Sequence, residues 1–213
     1  MDPVYHAFFT KLAEEVVTSR AELQKRLEPG DILVTSTAKS KSILDRAWDM
    51  ASRSVQGDKT HASMYVGGGK VVEMINGIRH RPLEESLRRI EGVALRPNLH
   101  KAVRAAVAKK LVVRIQSEGD QLQYNSLPFV AKAVAERYAT KRLFKDDTTE
   151  PGRYTCSGLI ADAYKDKMRI VPNKGTGYAI PRDFLESPML TPVVTYRNSK
   201  RHDIARRPTE GKL

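Results

Sequence analysis

The sequence predicts an α+β fold, in which an antiparallel sheet is formed separately from the helices. Two segments with the composition of strands, His61–Val66 and Lys70–Ile75, flank Gly67-Gly68-Gly69, which is typical of a hairpin. Helical patterns lie before and after this hairpin without βαβ alternation. A chain of 213 residues that is 40% hydrophobic is expected to form one domain with a sizeable core.

Before the hairpin, apolar residues recur at helical spacing from Asp2-Pro3 until Pro29-Gly30 ends the pattern. Residues 1–29 are therefore predicted to form a helical extension. Asp31–Thr35 is typical of a short buried strand, and Ser42 can cap a helix that continues to about Val55.

After the hairpin, the sequence predicts two more strands and three helices before a basic tail. In chain order these are a strand at Val93–Arg96, a helix from an Asn98 cap to about Ser117, a helix at Leu127–Tyr138, a loop at Asp146–Gly152, a helix at Cys156–Tyr164, loops from Pro172 to Pro192 and a strand at Val193–Tyr196. The main domain is predicted to span residues 30–196, and the tail residues 197–213.

The net charge has two interpretations. The chain has 37 Lys+Arg and 25 Asp+Glu, which gives a net charge of +12, and the tail holds six basic and two acidic residues. Such a charge can bind nucleic acid or an anionic surface or assembly partner, or it can simply be a solvated basic surface. We favour the solvated surface, and nucleic acid is not the favoured partner.

Other classes of protein are excluded by composition and motif. A single cysteine can form neither an intrachain disulfide nor a thiolate cluster for a metal. The remaining histidines lack metal-ligand spacing, and no nucleotide-binding glycine motif is present, so we expect no metal and no cofactor. These histidines are His6, His80, His100 and His202.

The N-terminal residues do not resemble a signal peptide, because the segment opens with an acid and charged residues interrupt its apolar part. No apolar run has the length of a membrane span. We therefore expect a soluble protein that is cytoplasmic or is delivered as part of a larger particle such as a virion.

Cys156 is the candidate nucleophile. At the first turn of a helix, unpaired N–H groups and the helix dipole favour a thiolate over a thiol. Acyl transfer also needs a base and a group that orients the base, and His61 and Glu73 are the candidates. The alternatives are a cysteine that acts as a small core hydrophobe, a histidine satisfied by backbone and a solvent-facing glutamate.

Hairpin geometry decides whether His61 and Glu73 share a face of the sheet. A three-residue loop, Gly67–Gly69, places Val66 opposite Lys70 and Ser63 opposite Glu73, so that His61 lies diagonally within reach of the carboxylate. A two-residue loop would turn Glu73 to the other face. The hypothesis of a His61–Glu73 pair therefore requires the odd loop.

Two strings resemble motifs of the NlpC-type, papain-like cysteine peptidases. HASMYVGGGKVVE, from His61 to Glu73, is similar to their histidine hairpin, and YTCSGLIADAY, around Cys156, is similar to their nucleophile helix. Because the histidine precedes the cysteine here, the order resembles the circularly permuted branch, which includes relatives of lecithin:retinol acyltransferase. Gly30-Asp31-Ile-Leu-Val is similar to the opening strand of that branch.

The resemblance implies a permuted papain-like fold, with an antiparallel sheet packed against helices that include a nucleophile helix. It implies that Cys156 attacks a carbonyl, that His61 transfers the proton and that Glu73 orients the imidazole, with the Cys156 N–H near the oxyanion. Tyr154 and Ser157 are candidates for substrate binding, although Tyr154 could equally be a core residue. The chain has Thr155 where the family often has aspartate.

The function implied is that of a thiol hydrolase acting on an amide bond, either in a peptidoglycan peptide or in an acylated small amine. One alternative is an acyltransferase of the same fold that acts on a lipid or thioester. Another is a catalytically silent domain with a structural or nucleic-acid-binding role through the basic tail. Residues 172–188 could form a wall of the substrate site or a plain surface loop.

Overall fold

The computed structural model describes residues 15–36, 61–75, 77–87, 91–124, 153–171 and 179–197. Several predicted elements lie outside these ranges. They are the first part of the N-terminal helix, the helices at Ser42–Val55 and Leu127–Tyr138, the loop at Asp146–Gly152, residues 172–178 and most of the basic tail.

The described residues form nine strands and five α-helices. The strands are β1 (Val16–Val17), β2 (Ile32–Thr35), β3 (His61–Gly67), β4 (Lys70–Met74), β5 (Ile78–Pro82), β6 (Glu91–Pro97), β7 (Gln123–Tyr124), β8 (Arg153–Tyr154) and β9 (Leu190–Arg197). The helices are α1 (Arg20–Arg26), α2 (Leu83–Ser86), α3 (Lys101–Glu118), α4 (Cys156–Tyr164) and α5 (Pro181–Glu186), and a 3₁₀ turn covers Gly119–Gln121.

Seven strands form one sheet in the order β1-β9-β6-β2-β3-β4-β5. The five pairings among β2, β3, β4, β5, β6 and β9 are antiparallel, and the short β1 pairs with β9 in parallel. β7 and β8 form a separate parallel pair. The predicted α+β class, with an antiparallel sheet and helices outside it, is therefore confirmed.

Helices cover both faces of this sheet. On one face, α3 and α4 pack against alternate residues of the central strands, including Ile32, Met64 and Val72. On the other face, side chains of α1 and α2 such as Leu23 and Leu83 join a second apolar cluster. Within the described ranges, no helix combines the length and the apolar composition that crossing a bilayer requires.

The N-terminal region differs from the predicted continuous helix. Val16 and Val17 pair with Thr195 and Tyr196 of β9, and the helix begins only after Ser19, whose hydroxyl accepts a hydrogen bond from the Glu22 N–H at 3.1 Å. Two adjacent β-branched residues and a helix-capping serine favour this arrangement. The apolar spacing alone did not distinguish it from a helix.

Other elements also differ from the predictions. α3 begins at Lys101 with His100 as its cap, because the Asn98 side chain is engaged instead by Pro188 and Thr191. β5 was not predicted. The segment predicted as loops contains α5, which has Pro181 at its first position and the Asp183 carboxylate accepting from the Ile180 N–H at 2.9 Å.

The hairpin has the predicted register but reaches it in a different way. Ser63 pairs with Glu73 as expected, whereas Gly67, not Val66, lies opposite Lys70. The turn itself is Gly68-Gly69, with positive φ at both residues, and a bulge between Tyr65 and Gly67 adds the extra residue. A two-residue loop together with one bulged residue thus gives the same register as a three-residue loop.

The C-terminal end of α4 is fixed against the start of β2. The buried Tyr164 hydroxyl donates to the Gly30 carbonyl at 2.6 Å, and burial, together with the nearby Asp31 charge, raises the pKa of Tyr164, which keeps the hydroxyl a donor. A Cβ on Gly30 would lie 2.6 Å from the Tyr164 hydroxyl oxygen, and Gly30 has a φ of 95°. Glycine is therefore required for α4 to approach β2 this closely.

We predict that Tyr164→Phe lowers the free energy of unfolding by about 1–3 kcal/mol, because the buried Gly30 carbonyl loses its hydrogen-bond donor. Urea unfolding measures the change. Tyr196→Phe is the matched control: this tyrosine is also buried, but its hydroxyl forms no hydrogen bond among the described residues. Equal stability of the two variants would contradict the anchoring role of Tyr164.

Candidate active site

Cys156 is the first residue of α4, as the sequence predicted. Thr155 caps the helix, and its hydroxyl accepts a hydrogen bond from the Gly158 N–H at 2.9 Å. Within the described chain, the N–H groups of Cys156 and Ser157 at this first turn have no acceptor. The cysteine side chain therefore starts from the positive end of the helix, beside two available donors.

The surroundings of the thiol favour its ionised form. Cys156 is only 6% exposed, and burial on its own would raise its pKa. A hydrogen bond and the positive charge of His61 outweigh burial, with further help from the Ala62 N–H and the Ser157 hydroxyl, and the pKa is lowered to about 7. The Ser157 oxygen lies 3.8 Å from the sulfur.

The structure also brings His61 and Glu73 together. The imidazole Nε2 lies 2.7 Å from Glu73 Oε2 in a buried contact. Since Nε2 faces the carboxylate, Nδ1 is the ring nitrogen left to interact with the thiol of Cys156. The three residues proposed from the sequence thus lie at one site, where Glu73 is hydrogen bonded to His61 and His61 lowers the pKa of the Cys156 thiol.

Glu73 has two further partners that sequence reasoning missed. The Ser86 hydroxyl donates to Oε2 at 3.1 Å, and the Arg81 guanidinium forms an ion pair with Oε1. Ser86 belongs to α2 and Arg81 to β5, and neither element was predicted. The available signal was the alternation of Ile78–Pro82, in which two arginines would lie on the same sheet face as Glu73.

His61 connects the two faces of the sheet. Cys156 belongs to the apolar cluster that contains Ala62 and Met64, whereas Tyr65 and Val71 belong to the cluster on the opposite face. By strand alternation, Glu73 lies on the Val71 face, on the side of α2. His61 is the first residue of β3, and at this strand end its ring is hydrogen bonded to the carboxylate and lowers the pKa of the thiol.

Of the two substrate-binding candidates, only Ser157 contacts the thiol. The Tyr154 hydroxyl instead donates to Asp162 at 3.1 Å and accepts from Arg114 at 2.9 Å. It is therefore hydrogen bonded to side chains of α3 and of the last turn of α4. These residues line an open groove of about 570 Å³ between the two helices. Within the described chain, Cys156 is not among the residues that line this groove.

Comparisons with known proteins do not assign this chain to a family. Its sequence matches no protein-family model, and it matches no curated protein.

We predict that Thr155→Val lowers the free energy of unfolding by about 1 kcal/mol, because α4 loses the side chain that caps its first turn. Thr155→Ser keeps the capping hydroxyl and is the matched control, with an expected change near zero. Urea unfolding of both variants provides the measurement. If the valine variant were as stable as the serine variant, the hydroxyl would not contribute through capping.

Proposed function

We propose that this chain is a thiol hydrolase that cleaves an amide bond through Cys156, His61 and Glu73. The observation that carries the proposal is the His61–Glu73 hydrogen bond beside a cysteine at a helix start. Although burial opposes it, a histidine lowers the pKa of this cysteine to about 7, and the same histidine lies 2.7 Å from a buried carboxylate. A structural cysteine in an apolar core has a raised pKa, so this environment favours a nucleophile.

In the proposed reaction, the Cys156 thiolate attacks the amide carbonyl carbon and forms a C–S bond. The carbonyl oxygen takes up the negative charge beside the N–H groups of Cys156 and Ser157. His61, protonated by the thiol, then gives that proton to the nitrogen, and the amine leaves as the C–N bond breaks.

The second half of the reaction restores the enzyme. His61 accepts a proton from a water molecule, whose oxygen attacks the thioester carbon. The C–S bond breaks, the acid is released and the proton returns to the sulfur. Throughout both halves, Glu73 holds the Nε2 side of the ring, so that Nδ1 stays directed at the reacting atoms.

The substrate belongs to the proposal as well. The resemblance to permuted NlpC-type proteins favours a peptidoglycan peptide or an acylated small amine. A net charge of +12 suits a substrate embedded in an anionic surface, since opposite charge raises the local concentration of enzyme.

We predict that alkylation of wild-type Cys156 by iodoacetamide follows an apparent pKa near 7 and that His61→Ala raises it to about 8.5 or above, the value of a free thiol. At pH 7 the variant should therefore react more than tenfold more slowly. His80→Ala is the control, because His80 is an exposed histidine on β5. An unreactive thiol, or one unaffected by the loss of His61, would contradict the proposal.

We also predict that p-nitrophenyl acetate acetylates Cys156, with release of p-nitrophenol and an acetyl adduct in the intact mass. The chain has one cysteine, so Cys156→Ala tests the assignment without ambiguity. Release of acetate to water supports a hydrolase. Transfer of the acetyl group to an added amine or alcohol would instead indicate an acyltransferase, and the absence of both an adduct and Cys156-dependent release of p-nitrophenol a silent domain.

A further inference from the structure

Arg81 is the residue that faces the far side of the Glu73 carboxylate. We infer that it is a positioning residue, whose guanidinium keeps Glu73 ionised and thereby fixes the hydrogen-bonding state of His61. The inference rests on the proposed function, because it assumes that His61 acts as the base for Cys156.

The two carboxylate oxygens of Glu73 have different partners. Oε2 lies 2.7 Å from His61 Nε2 and accepts from the Ser86 hydroxyl at 3.1 Å. Oε1 faces the guanidinium of Arg81 in an ion pair. The glutamate side chain is 0% exposed and the arginine side chain 21% exposed, so this contact is largely shielded from water.

Register explains why Arg81, and not its neighbour, holds this position. In the β4–β5 ladder Arg79 is directly opposite Glu73, and Arg81 is opposite Val71, two residues along the same face. A long side chain can reach across that diagonal. Arg79 is exposed, whereas Arg81 turns inward and also lies 3.9 Å from Glu85 of α2.

The protonation state of Glu73 decides which ring nitrogen of neutral His61 carries the proton. An ionised Glu73 accepts a hydrogen bond from Nε2–H, which leaves the Nδ1 lone pair free to take the proton of the thiol. A protonated Glu73 would instead donate to Nε2, and the neutral ring would then carry its proton on Nδ1. Such a ring cannot accept a proton from Cys156.

Burial works against the ionised form of Glu73, and Arg81 works for it. A carboxylate removed from water takes up a proton readily unless a positive group or hydrogen-bond donors stabilise its charge. In the described chain, the titratable groups facing this site include His61 from β3, Arg79 and Arg81 from β5, Glu85 from α2 and Cys156 from α4. Arg81 is a permanent cation among them that contacts the carboxylate.

The test is the pH dependence of Cys156 alkylation by iodoacetamide in Arg81→Gln. We expect the apparent pKa of the thiol to rise by about 1, which slows alkylation at pH 7 about fivefold, because the imidazolium loses its ionised partner. Arg81→Lys retains the charge and should restore most of the wild-type profile. Arg79→Gln, which removes an exposed cation from the same face of the same strand, should change the profile much less than Arg81→Gln.

The sign of the shift discriminates between two roles. If Arg81 merely weakened the pull of Glu73 on the imidazolium, its loss would lower the apparent pKa of Cys156. An unchanged or lowered value in Arg81→Gln would therefore overturn the inference. If the wild-type thiol were reactive near pH 7 in the same experiment, the proposed function would survive that result.

A double-variant cycle tests whether Arg81 acts through Glu73. Glu73→Gln and Glu73→Gln with Arg81→Gln should have the same alkylation profile, because the amide has no charge for Arg81 to maintain. Neither protein contains the buried carboxylate, so this comparison remains available if Arg81→Gln alone does not fold. A further loss of reactivity in the double variant would overturn the inference.

Discussion

A carboxylate with no exposed side-chain surface, Glu73, is the group on which the arrangement of the site depends. A buried charge is costly unless hydrogen bonds and an opposite charge accompany it. Three separate elements provide these partners, with His61 at the start of β3, Arg81 on β5 and Ser86 on α2. Since each of them lies on a different element from Glu73, the site forms only when this part of the sheet and α2 have assembled.

The hairpin bulge determines which face of the sheet receives that charge. Side chains alternate between faces, so one residue more or less between Tyr65 and Lys70 would turn Glu73 toward the apolar cluster beneath α4. Three consecutive glycines with positive φ permit a two-residue turn and a bulge together. The backbone conformations that these glycines allow therefore determine a contact elsewhere in the hairpin, the one between His61 and Glu73.

The parts of this structure that the sequence could predict are those governed by local signals. Thr155 followed by the apolar run of α4 is a sufficient sign of a capped helix, and alternating residues around three glycines indicate the hairpin. β5 escaped prediction because Arg79 and Arg81 look like solvent-facing residues until the strand is paired with β4. The role of Tyr154 depended on Asp162, 8 residues along the chain, and on Arg114, 40 residues away, and no local pattern reveals the contact with Arg114.

The Gly30-Asp31 opening and the cysteine helix contact each other at the end of α4. Cys156 begins α4, and Tyr164 ends it against the Gly30 carbonyl. Asp31, buried beside Gly30, accepts two hydrogen bonds from Arg96, at 2.9 Å and 2.7 Å, which joins the start of β2 to β6. The glycine permits the close approach of the helix, and the aspartate stabilises the strand that it approaches. The Gly-Asp opening thus has a structural reason to accompany a cysteine helix, since it fixes the far end of the element whose near end carries the thiol.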